Sequence, residues 1–279
     1  LRSRGLGDVY KRQGYVDENV RVSVAENGPL RSTVLVEKSL GESRFKQYIR
    51  LYEGALADRI DFYNEVDWAS PHTLVKAEFP LSVDNDVACY DLGLGAVERG
   101  NNRPNSYEVY AQRWADLTDR SGDYGVTVMN DCKYGWDKPD NNTIRLTLLH
   151  TPGTDRHYPY QDHQDFGYHT FTYSLRGHAG ALDRTAVCNG ADVLNQRVKA
   201  FVASRHAGKL GKQFSAMTVD NDALAIKAFK KAEASDEYVI RLYDTSGKGA
   251  AGTVSFALPL TAASEADGTE TTISTVPFA

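Results

Sequence analysis

The sequence predicts an all-β chain. Apolar and polar residues alternate through most of its regular stretches, the period of a strand with one covered face. Such stretches recur roughly every 8–15 residues with turn residues between them, as in antiparallel sandwiches and barrels. Only residues 183–201 approach helical spacing, through Val187, Ala191, Leu194 and Val198, and Gly190 weakens even that helix.

Val20, Val22 and Val24, then Val34 and Val36, mark two half-buried strands separated by the turn Asn27-Gly28-Pro29. Residues 45–52 and 60–68 are the next two, the latter with Ile60, Phe62, Val66 and Trp68 as its apolar positions. Residues 74–81 alternate up to Pro80, which suits a strand end or a sheet edge. Residues 87–94 and 107–114 are candidate strands around the polar turn at 100–105. Further strands are expected at 125–130, 143–149 and 169–175. Past the helical stretch, Gly208 and Gly211 mark a polar joint. A second β block comes next at 214–219, 223–230, 238–243 and 253–258. Residues 261–272 are polar, and a last strand would begin near Ile273. The expected layout is a tail over 1–13, a large sandwich over 14–180, a connector over 181–212 and a smaller, truncated β-sandwich over 213–279.

The composition narrows the function. In 279 residues, 32 Lys+Arg stand against 37 Asp+Glu for a net charge of −5. That balance lacks the basic stripe nucleic acid requires, so no nucleic acid is expected as a partner. No apolar run approaches the roughly 18 residues that would span a bilayer, so no membrane partner is expected. Nothing at the N-terminus has the basic-then-apolar layout of a signal peptide. Cys89, Cys132 and Cys188 are odd in number and far apart, and suit reduced, mostly buried thiols in a cytoplasmic setting rather than a disulfide framework. The 16 tyrosines fit strands and sugar-binding clefts equally well.

Both ends have the look of cuts. The hexapeptide Asp8-Val9-Tyr10-Lys11-Arg12-Gln13 resembles one reading frame of a transposon-end sequencing adaptor, and the chain opens on Leu1 rather than Met. Residues 1–13 are therefore set aside, and the chain is expected to be an internal piece of a longer protein.

Three groups of residues could carry chemistry. The first is the segment from Tyr124 to Asp140, where a regular strand runs into Asn130, Asp131, Lys133 and Tyr134. Amide, carboxylate and ammonium groups hydrogen-bond sugar hydroxyls, and a tyrosine face suits a pyranose ring. The competing reading is a tight hairpin, since residues 137–142 carry turn chemistry throughout. The second is Asp155, His157, Asp162, His163, Asp165 and His169, the right types for a metal but without a compact ligand spacing. A solvated loop explains them as well. The third is Glu65 with Asp67, two carboxylates on one strand face, where the wet side of a sheet is the plainer account. No nucleophile elbow, phosphate-cradling loop or CxxC pair is present.

Several of these stretches together resemble the C-terminal half of family-38 α-mannosidases. They are residues 59–68, 74–80, 124–135, 145–149, 169–173 and 238–244, and the resemblance runs over roughly residues 15–278. It implies a galactose-mutarotase-like sandwich followed by a smaller one. It also implies a retaining, exo-acting enzyme that hydrolyses terminal α-mannosyl residues of glycans. Such enzymes use a zinc ion held by two Asp and two His, with an Asp nucleophile, all in an N-terminal barrel. No segment here matches that barrel, so neither zinc nor a catalytic residue is transferred to this chain, and the piece alone is expected to be inactive. The implied partners are mannose-containing oligosaccharides and the N-terminal domain, against which the β domain packs; a homo-oligomer stays open. The resemblance implies substrate contact for Asn130, Asp131, Lys133 and Tyr134 at the rim of the cleft. Two rivals stay open at this point: a non-catalytic carbohydrate-binding module, and a mutarotase-type epimerase, which would need a His and a Glu in one cleft.

Overall fold

A computed structural model describes residues 14–153 and 164–278. The chain is mostly β and divides into two compact units. The first runs up to Leu182 and includes Asn189–Arg197. Its strands are β1 Glu18–Asn27, β2 Arg31–Leu40, β3 Ser43–Tyr52, β4 Arg59–Trp68, β5 Thr73–Pro80, β6 Val87–Asp91 and β7 Ala96–Gly100. They continue as β8 Val109–Tyr110, β9 Trp114–Thr118, β10 Tyr124–Asn130, β11 Gly135–Asp137, β12 Thr143–Thr151 and β13 Gly167–Ala179. A nine-stranded sheet has the order β1-β2-β3-β4-β13-β10-β9-β6-β7, and a four-stranded sheet the order β5-β12-β11-β8. As anticipated for Pro80, β5 is an edge strand that ends on it.

One hydrophobic core draws on both sheets. The nine-stranded sheet contributes Val66, Trp68, Tyr90, Leu117, Val128, Phe171 and Tyr173, and the four-stranded sheet Phe79, Trp136, Ile144, Leu146 and Leu149. Tyr173 joins them directly. Its ring stacks on Phe62 at 5.1 Å and meets Phe79 edge-on at 5.5 Å, while its hydroxyl accepts Gln47 Nε2 at 2.7 Å. Trp68 is fully buried with its indole N–H satisfied, donating to Thr151 Oγ1 at 2.6 Å.

The other face of the nine-stranded sheet is polar, dry around Asp61, Asp116 and Ser174 and wet toward Glu65 and Asp67. Asp61 accepts Ser174 Oγ at 2.6 Å, Tyr52 hydroxyl at 2.9 Å and Arg59 Nη2 at 3.1 Å. Helix α1, Arg184–Asn195, has its C-terminal half in the first unit. There Arg113 pairs with both Asp91 and Asp192, and Asn195 Nδ2 donates to Asn130 O at 3.0 Å.

On this face His178 Nε2 sits 3.0 Å from Asp116 Oδ2. That hydrogen bond raises the His178 pKa against the opposing pull of burial. A raised histidine adds stability that is whole below its ordinary value near ~6.5 and is lost as pH climbs through the folded value. The stability gap between wild type and His178→Gln, read from urea melts, is therefore expected to be wider at pH ~5 than at pH ~9. A gap that does not change with pH would remove the charged pair from the account. Gly125 answers to the same histidine, because a Cβ there would stand 2.5 Å from His178 Nε2 and 2.9 Å from Thr118 Cα.

The second unit comprises Asp183–Cys188 and the residues from Val198 on. It holds three antiparallel two-stranded ladders: β14 Met217–Val219 with β17 Val254–Phe256, β15 Leu224–Lys231 with β16 Tyr238–Asp244, and β18 Ser264–Ala266 with β19 Thr272–Thr275. Phe229 stacks on Tyr238 at 5.3 Å, and the buried Thr245 ties back to Ala223 O through both its N–H, at 2.8 Å, and its hydroxyl, at 3.0 Å.

Several expectations need correction. The single strand expected over 107–114 is two pieces in different sheets, β8 and β9. Asp91 makes the break, since its carbonyl accepts Gln112 N at 2.8 Å and its carboxylate accepts Arg113 N at 3.1 Å. Strand β7 and the short β18 lie in stretches with too few apolar residues to show a period. Residues 135–137 run into the turn-like stretch 137–142, yet they form β11 inside a sheet. The cysteines are less buried than expected: Cys132 is exposed, Cys89 half-buried and only Cys188 buried. Finally, β1 is exposed along its whole length despite its alternating valines.

Candidate functional site

Strand β10 ends at Asn130, and the next four residues turn the chain into β11 in the opposing sheet. Asn130 builds that turn. Its side-chain oxygen accepts Lys133 N at 2.7 Å, its amide Nδ2 donates to Gln112 O at 2.8 Å, and its backbone N–H donates to Arg113 O at 2.9 Å. Asparagine suits this position because its short amide copies a backbone turn. Only 1% of Asn130 is exposed, so its polar groups serve the loop rather than a ligand.

Asp131 holds the loop to β13. Its N–H donates to Thr172 O at 3.1 Å and its Oδ1 accepts Thr172 N at 3.0 Å. Its other oxygen stays partly open, 3.8 Å from Arg197 Nη2. The Lys133 ammonium lies 4.8 Å from the centre of the buried Phe171 ring, a cation–π contact. Tyr134 is pinned by its carbonyl, which accepts Ala111 N at 3.1 Å, while 54% of the residue faces solvent. The four predicted residues therefore share one turn but not one orientation. Tyr134 is exposed, whereas Asp131 and Lys133 are half-buried, the one with an oxygen toward Arg197 and the other with its ammonium over Phe171.

Beneath the turn lies a charged cluster that sequence reasoning did not single out. Lys76 Nζ donates to Glu108 Oε1 at 2.8 Å, Thr147 Oγ1 at 2.8 Å and Asp137 Oδ1 at 3.0 Å. Arg145 Nε and Asn102 Nδ2 donate to Asp137 Oδ2 at 3.0 and 2.8 Å. Burial works to raise the Asp137 carboxyl, but Arg145, Lys76 and Asn102 together hold it below the usual range. Gly135 is the price of packing the loop on this cluster: a Cβ there would come within 3.1 Å of Thr147 and 3.2 Å of Glu108.

The next residue, Lys138, is 1% exposed. Its ammonium donates to Asn85 O at 2.6 Å, to Asn101 Oδ1 at 2.8 Å and to Asp140 O. Above it an open cleft of about 740 Å³ is lined by Ser82, Asp84, Asn101, Asp119, Tyr124 and Asp140, among others. Tyr124 begins β10 and Asn130 ends it, so this cleft and the Tyr134 turn lie at opposite ends of one strand.

Of the possible metal ligands, Asp155, His157, Asp162 and His163 lie outside the described residues. The Asp165 carboxylate accepts His150 N at 2.6 Å, and His169 Nε2 is 2.6 Å from Asp165 O. Among the described residues no group of three or more His, Cys, Asp or Glu side chains could hold a metal ion. Zinc therefore does not fit the residues described. Glu65 is half-buried and Asp67 exposed, on the wet face as their alternation suggested.

Residues 7–158 match the family model for the glycosyl hydrolases family 38 C-terminal domain. Residues 223–279 match that for the family 38 C-terminal beta sandwich domain. The first match begins inside the 13 residues set aside on sequence grounds. Fold and matches together define a class, the C-terminal β domains of glycosyl hydrolases. The chain belongs to glycosyl hydrolase family 38. It is 30% identical over 235 residues to alpha-mannosidase 2C1 of Mus musculus, covering 81% of this chain and 22% of that protein. It is 29% identical over 240 residues to alpha-mannosidase G of Dictyostelium discoideum, covering 80% and 21%. It thus spans about a fifth of the length of these curated relatives. A crystal structure of a family 38 protein from Enterococcus faecalis superposes with a TM-score of 0.74 at 18% identity, over 88% of this chain and 33% of that one. That likeness establishes the fold.

Proposed function

We propose that this chain is the β portion of a longer retaining, zinc-dependent α-mannosidase that removes terminal α-mannosyl residues from glycans. The observation that carries the reading is the joint family match to two successive C-terminal domains, in a chain whose match spans about a fifth of the length of relatives named alpha-mannosidases. On this reading zinc and nucleophile belong to the part of the protein outside this chain. A large sandwich over residues 14–180, a connector over 181–212 and a smaller β block over 213–279 are the proposed domains. The turn from Asn130 to Tyr134 is the proposed rim. Tyr134 offers its ring to a sugar face, Asp131 and Lys133 offer polar groups to its hydroxyls, and Asn130 holds the turn.

The test compares two proteins. The isolated chain is expected to turn over no aryl α-mannoside, whereas the product of the intact gene does so and loses the activity to a zinc chelator. Chelator-sensitive turnover by the isolated chain would overturn the assignment of catalysis to the missing part. Failure of the intact protein on every mannoside would overturn the mannosidase reading itself.

A further inference from the structure

The two sheets of the first unit are unequal, nine strands against four. Paired residues on neighbouring strands share a face, so a row can be followed out of the core. One such row is Tyr173–Phe62–Ile49–Val34–Val24, from β13 through β4, β3 and β2 to β1. Its exposure climbs from 6% at Tyr173 to 36% at Val34 and 72% at Val24. The next row, Phe171–Asn64–Gln47–Val36–Val22, climbs from 2% to 63%. Leu51, on the same side of β3, is 53% exposed. The core-facing side of the sheet therefore continues over β1–β3 as an open apolar surface. The opposite side of the same strands carries the row Glu37–Lys46–Glu65. Such alternation is what a half-covered sheet requires, and among the described residues the apolar side of β1 has no cover.

We propose that this face of β1–β3, centred on Val22, Val24, Val34 and Leu51, seats an apolar surface of the same longer polypeptide, from the part outside this chain. The proposal rests on the reading that the chain is one portion of a longer enzyme. The curated relatives extend to about five times the length matched, and the solved relative to about three times, so ample polypeptide exists to cover the face. Contact runs through the face rather than the strand edge. Register shifts lie between Glu18 and Arg21 and between Val24 and Glu26, and Asn19 has a φ of 53°. Such irregularities bend an edge away from strand addition.

The experiment uses the intact protein with Val22→Cys, and Lys46→Cys on the opposite face as comparator. Each is labelled with a maleimide and read by peptide-resolved mass spectrometry. The Val22→Cys site is expected to label at least about tenfold more slowly than the Lys46→Cys site, at every protein concentration. Equal rates would overturn the proposal. So would protection that fades on dilution together with a dimer-to-monomer shift in sedimentation, which would assign the face to a second copy. Should Val22→Cys not fold, hydroxyl-radical footprinting of the unsubstituted intact protein reads Val22 and Val24 directly, with low oxidation expected. Mannosidase activity measured on the same sample separates the two ideas. Activity with an open face sinks the docking alone, and a protected face without activity sinks the mannosidase reading alone.

Discussion

Replacing Asp137 with alanine is expected to cost about 3–5 kcal/mol of folding stability, the usual loss when one member of a buried ion cluster is removed. Asp137 has no exposed surface and gathers Lys76, Arg145 and Asn102 from three separate segments. Its removal takes from Lys76 and Arg145 the fully buried carboxylate they share, leaving Glu108 beside Lys76 and, more distantly, Glu78 beside Arg145. Asp137→Asn keeps the shape and removes the charge, and is expected to cost less than alanine but more than about 1 kcal/mol. Urea denaturation at pH ~7 measures both. Because the carboxyl is held below its usual range in the folded protein, its contribution is present above the ordinary Asp value near ~4 and is lost as pH falls through the folded one. Alanine stability within a few tenths of a kcal/mol of wild type, on the order of ~0.3, would mean that the cluster contributes nothing net.

In the intact protein, Tyr134→Ala is expected to lower kcat/KM for mannosides by about tenfold, roughly 1.4 kcal/mol of transition-state binding, with its melting temperature unchanged. The residue is more than half exposed and is held by its backbone, so truncation removes little packing. Asn130→Ala should behave in the opposite way. It orphans Lys133 N and Gln112 O and is expected to cost about 1–3 kcal/mol of stability. Any loss of activity would then come from the displaced turn. Unchanged kcat/KM for Tyr134→Ala would remove this turn from the sugar site.

The strands with a clear period were legible from residue types alone. Ile60, Phe62, Val66 and Trp68 follow the core face of β4, and the stretch at 125–130 falls within β10. Asp137 and Lys138 were not legible, because aspartate, lysine, proline and asparagine in a row have the composition of a turn. What buries them is a set of partners at positions 76, 85, 101, 102 and 145, and no local pattern connects those positions. The proposed site was legible as a segment. The division of labour inside it was not, since the same Asn could face a sugar or its own backbone until the neighbouring strand was placed. The open face of β1 shows the converse. Its alternating valines predict a half-buried strand, yet all of β1 is exposed, because a sequence pattern does not say whether any surface provides the cover.

Lys138 makes one further point. Surface loops are often knotted together by a bound calcium ion, whose charge collects backbone and side-chain oxygens from several segments. Lys138 gathers oxygens from Asn85, Asn101 and Asp140 in the same manner, but its charge arrives on a covalent tether. Neither dilution nor a chelator can empty it; burial lowers the Lys138 ammonium to a pKa of about 8, so what empties this knot of its charge is a rise in pH rather than the loss of an ion.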